Sequence, residues 1–126
     1  MSGPAWRNTN RSTHRAVRDL AVAYLDREGI PAITKRMPKG LSDSLDDDAI
    51  APDLALDGVD LDVSSRLSPF RLSESLESVQ RTAQIRGVPA YGFIQWRGDH
   101  EIRNSYVVLD LASFARLVRG DHIISN

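Results

Sequence analysis

The chain has no cysteine and only two lysines, Lys35 and Lys39, among its 126 residues. Without cysteine there is no disulfide and no thiolate-bound zinc, and a reducing compartment suits the chain. No apolar run approaches the roughly 20 residues that cross a bilayer. Met1–Asn10 also lacks the apolar stretch of a secretory leader. A cytoplasmic protein with no membrane partner is expected. A phosphate-cradling glycine loop, a paired-histidine zinc-protease motif and a Ser/His/Asp order are all missing. Repeats and low-complexity segments are missing too.

What is present suits one globular domain. Hydrophobic residues make up 41% and charged residues 26%, and the length buries one core but hardly two. The net charge of −1 conceals an uneven layout. From Leu41 to Val63 every charged residue is an aspartate, and the flanks on both sides are rich in arginine. An acidic centre between basic flanks suits a metal ion and a polyanion, although a solvated acidic loop is the plainer explanation.

Residues 1–10 read as a polar tail, 11–120 as the domain and 121–126 as a second tail. Ser12 or Thr13 caps a helix to about Glu28, with Val17, Leu20, Ala21, Tyr24 and Leu25 on one apolar face. A strand is expected over Ile30–Arg36, followed by a loop through Asp48. Asp53–Leu56 and Val59–Val63 read as two strands joined by the turn Asp57-Gly58. In the second, Val59, Leu61 and Val63 alternate with Asp60, Asp62 and Ser64, so one face is apolar and the other polar. A helix over Leu72–Ile85, strands near Tyr91–Trp96 and Ser105–Leu109, and a last helix capped by Asp110 complete the chain. The order is αβββαββα, an α/β (α+β) arrangement with a mixed central sheet flanked by helices.

The chemistry concentrates in Pro52-Asp53 and Asp62-Val63-Ser64. Two carboxylates on neighbouring antiparallel strands converge on one point. With a main-chain carbonyl they suffice for a hard cation such as Mg²⁺ or Mn²⁺.

Here the sequence resembles the PD-(D/E)XK nuclease superfamily, and within it the small phage-type members similar to Holliday-junction resolvases. The resemblance spans about Arg11 to Val118. It rests on the Tyr24-Leu25…Gly29 end of the first helix, the basic loop Lys35–Gly40, the motif hairpin and the element order. It implies a restriction-endonuclease-like fold that hydrolyses DNA phosphodiesters with Mg²⁺ or Mn²⁺, and a homodimer. Asp53 and Asp62 would be metal ligands, the Val63 carbonyl a third, and Asp60 the substitute if the register slips. Gln80 would lie near the active centre, and Asp19 or Arg18 would take the place of the acidic residue on the opening helix. Lys35, Arg36, Lys39 and Arg66 would contact DNA phosphates.

Ser64 stands where the family keeps its catalytic lysine, and it carries no charge. Replacement would come from Lys35 or Lys39 reaching across the sheet, or from Arg66. A rival expectation follows: a catalytically inactive protein on the same fold, possibly phage-encoded, that binds DNA or a host protein without turnover. Net acidity and scarce lysine favour that rival. His14, His100 and His122 show no ligand spacing, and Asp46-Asp47-Asp48 reads as a solvated turn. Trp6, Tyr91, Phe93 and Trp96 are expected to pack rather than stack on bases.

Overall fold

At Asp57-Gly58 the chain reverses, with Gly58 at φ 79°, a conformation that side chains with a Cβ disfavour. The turn joins strand β1, Leu54–Leu56, to strand β2, Val59–Ser64. The two are antiparallel, with Leu54 opposite Leu61 and Leu56 opposite Val59. This computed structural model describes residues 3–34, 50–65 and 72–120, with side chains of the first helix from Thr13 onward.

Helix α1 spans Gly3–Arg27 and α2 spans Leu72–Arg86. Strand β3, Ala90–Gln95, pairs in parallel with β2, and β4, Tyr106–Leu109, pairs antiparallel with β3. The parallel pair needs a crossover, which α2 supplies. A 3₁₀ turn, Ile102–Asn104, precedes β4, and helix α3, Leu111–Arg119, follows it. The result is a mixed four-stranded sheet in the order β1-β2-β3-β4 with three helices. Among the described residues no helix is long and apolar enough to cross a membrane.

Two expected boundaries shift. The strand over Ile30–Arg36 reduces, within the described residues, to one antiparallel bridge between Ile33 and Ala55. Its two backbone hydrogen bonds, 2.9 and 2.8 Å, still extend the pairing past β1. At the other end, α1 begins at Gly3 inside the segment expected to be a tail. Pro4 falls in its first turn, where a missing N–H costs no helical hydrogen bond.

Period-two alternation decides which residues meet which helix. Val59, Leu61 and Val63 join Ala90 and Ile94 in one core cluster, into which α1 inserts Val17 and Ala21. On the opposite face Tyr91 packs with Val79 and Ala83 of α2. The polar face of β2 is therefore covered by a helix. Leu20, expected on the buried side of α1, is 52% exposed, because only Val17 and Ala21 there reach full burial. Asp110 caps α3 as expected, accepting a 2.7 Å hydrogen bond from the Ser113 amide.

Candidate metal centre

The antiparallel register that sets Leu54 opposite Leu61 carries one step further and sets Asp53 beside Asp62. The two are then locked by backbone donors. The Asp53 amide donates to Oδ1 of Asp62 at 3.1 Å, and the Val63 amide donates to Oδ2 of Asp53 at 2.8 Å. The three residues that the motif singled out, Asp53, Asp62 and Val63, therefore meet at one end of the hairpin.

A fourth residue joins them from α1. Nε2 of His14 lies 3.1 Å from the Val63 carbonyl oxygen and 3.3 Å from Oδ2 of Asp53. Its position follows from packing: Val17, three residues on along the same helix face, is buried in the core that β2 shares. Sequence reasoning passed over His14, because the contact closes 49 residues of chain and leaves no local spacing to read. Of the opening-helix residues that were expected here, Arg18 pairs with Asp19 at 3.0 Å, and Asp19 faces outward with 60% of its side chain exposed.

The electrostatics are tightly coupled. Burial, and then the neighbouring Asp53 charge, push the Asp62 carboxyl up to about 6. The Asp53 carboxylate, through its hydrogen bond and then its charge, raises His14 above its ordinary value against the opposing effect of burial. A carboxylate pair with one raised member and an imidazole within contact distance suits a cation-binding or proton-handling centre.

Asp60 does not belong to the site. Its side chain is completely buried on the α2 side of the sheet, where Arg86 Nε donates to Oδ2 at 2.8 Å. Burial raises its carboxyl in spite of that partner. The expectation of Asp60 as a substitute ligand fails because α2 covers the face it projects from. Ser64 extends β2, and its carbonyl accepts from the Trp96 amide at 2.9 Å. Gln80 lines a cleft of about 530 Å³ with Gln84, Tyr91, Asp110 and Arg116. Lys35, Arg36, Lys39 and Arg66 lie outside the described residues, as do Asp46-Asp47-Asp48 and His122.

Among the described residues no group of three or more His, Cys, Asp or Glu side chains is placed to hold a metal ion. The donors that do converge are mixed in kind: the His14 nitrogen, an Asp53 oxygen and a main-chain oxygen of Val63. For ligands about 2.1 Å from an octahedral ion, neighbouring corners lie about 3.0 Å apart. The separations of 3.1 and 3.3 Å suit such neighbours. This donor set fits a small divalent cation. Comparison with protein-family models, with curated proteins and with solved structures finds no match.

Proposed function

We propose that this chain is a divalent-metal-dependent DNA endonuclease, resolvase-like and related in design to the PD-(D/E)XK nucleases. The observation that carries the reading is the register-fixed pairing of Asp53 with Asp62 beside the Val63 carbonyl. Asp53, Asp62 and the Val63 carbonyl would hold Mg²⁺ or Mn²⁺, which when bound supplies an acidified water and neutralises phosphate charge. The Val63 amide fixes the Asp53 carboxylate, so the ligand pair is held by the sheet ladder rather than by a loop. Lys35, Arg36, Lys39 and Arg66 are proposed to contact DNA phosphates. A homodimer acting on two strands and a cytoplasmic location belong to the same reading.

A second reading has its own observation. His14, raised by Asp53 and in contact with it, places an imidazolium where a cation would sit. Together with the uncharged Ser64, that favours a nuclease-fold protein that binds DNA or a host protein without turnover.

Incubation with branched, duplex and single-stranded DNA in Mg²⁺, Mn²⁺ or EDTA separates the two. The first reading expects cutting that requires metal and is lost in both Asp53→Asn and Asp62→Asn. No cutting on any substrate, with no metal-induced rise in melting temperature, overturns it in favour of the second.

A further inference from the structure

We infer that His14 is itself a metal ligand in this centre and that it tunes the site toward Mn²⁺ over Mg²⁺. The inference rests on the metal-centre reading above and adds to it a nitrogen donor and a choice of ion.

Geometry comes first. Nε2 of His14 faces two oxygen atoms at once, the Val63 carbonyl at 3.1 Å and Oδ2 of Asp53 at 3.3 Å. A ring nitrogen carries at most one hydrogen, so the two acceptors compete for a single N–H. Oδ2 of Asp53 is also already satisfied by the Val63 amide at 2.8 Å. Three lone-pair atoms gathered around one point are better served by a cation than by one shared proton.

Placement is firm as well. His14 rides on α1, whose Val17 and Ala21 are anchored in the core with Val63 and Leu61. The imidazole therefore reaches the hairpin from a second element, and the site is closed from two directions. Ligands on packed helices and strands hold their geometry better than ligands on loops.

Chemistry then selects the ion. Mg²⁺ is hard, demands oxygen ligands in near-ideal octahedral geometry and gives up water reluctantly. Imidazole suits later divalent ions, and affinity at a mixed nitrogen and oxygen site rises along the first transition row from Mn²⁺ onward. A His/Asp/carbonyl set therefore disfavours Mg²⁺ relative to Mn²⁺.

The experiment titrates Mn²⁺ and Mg²⁺ separately into the full chain, reading melting temperature and, for Mn²⁺, pulsed electron spin resonance. Wild type, His14→Ala and the similarly sized His14→Gln are compared, with circular dichroism reporting that each is folded. The expected result is tighter Mn²⁺ than Mg²⁺ binding by about tenfold or more, and a ¹⁴N coupling from coordinated imidazole. In both variants the coupling should vanish and Mn²⁺ affinity should fall by about tenfold or more, with a smaller loss for Mg²⁺. Metal binding with no ¹⁴N coupling and unchanged ion preference in the variants overturns the role of His14 and leaves the Asp53/Asp62 site standing. No metal-induced change in wild type overturns both. Metal binding that appears only in His14→Gln shows the imidazole excluding the ion and likewise overturns the inference.

Discussion

Arg86, the last residue of α2, donates from Nε to Oδ2 of Asp60 at 2.8 Å, and Asp60 is 0% exposed. The pair ties the crossover helix to the central strand from the side opposite α1. Removing one partner of such a pair leaves a buried charge without compensation, which costs about 3–5 kcal/mol. Arg86→Met is expected to destabilise by that amount in urea unfolding. The double variant Asp60→Asn/Arg86→Met should recover a large part of it, and a double variant as unstable as the single one would contradict the account.

Asp62 makes stability fall as pH rises. Its carboxyl is raised from 3.8 to about 6 in the folded chain. Between those values the folded state holds a proton that the unfolded state has released. Stability is lost through that window, by about 3 kcal/mol in all. His14, also raised, adds stability below its unfolded value of 6.5 and loses it as pH climbs through its folded value. Asp62→Asn keeps the oxygen that accepts from the Asp53 amide and removes the titration. The variant is therefore expected to exceed wild type in unfolding free energy at pH 7.5 and to converge with it near pH 4. Parallel pH profiles would contradict the shift.

Gly92 allows β3 and β4 to approach. A Cβ there would meet Leu109 Cδ2 and the Val108 carbonyl oxygen, each at 2.4 Å. The leucine can turn aside, but the carbonyl belongs to the ladder that pairs the strands. Gly92→Ala should cost about 1–3 kcal/mol from overpacking, read as a lower denaturant midpoint. An unchanged midpoint would show that β4 yields freely.

Ser113 is the only residue of α3 that is fully buried, and its hydroxyl accepts from the Tyr91 amide at 3.2 Å. Ser113→Ala leaves that amide without its partner, at a cost of about 1–3 kcal/mol. The loss should appear in guanidinium unfolding, together with faster hydrogen exchange at the Tyr91 amide. Unaltered exchange there would mean that another acceptor serves it.

Much of the fold was written in short-range pattern. Asp57-Gly58 and the alternation from Val59 to Ser64 determine both the hairpin and the pairing of Asp53 with Asp62, because antiparallel register follows from turn geometry. Asp110 announces α3 by the hydrogen bond its side chain makes three residues on. What stayed hidden depends on how elements stack. Whether the polar face of β2 meets water or a helix cannot be read from β2, and α2 settles it by burying Asp60 against Arg86. His14 reaches Val63 only once α1 lies along the sheet. Leu20 fits the helical stripe yet finds no neighbour to bury it.

Helix α3 turns Leu111, Phe114 and Val118 outward, at 80%, 53% and 71% exposure. It is fastened mainly by polar ties: the Asp110 cap, the Tyr91 hydroxyl on Asp110, the Ser113 hydroxyl and a 2.9 Å bond from Arg116 to the Pro89 carbonyl. Detaching it exposes little new apolar surface, so the opening has a shallow denaturant dependence. Its amides then exchange by a sub-global route at lower free energy than those of α2, whose Val79 and Ala83 are sealed in the core. The end of the domain thus breathes independently of the hairpin that carries Asp53 and Asp62.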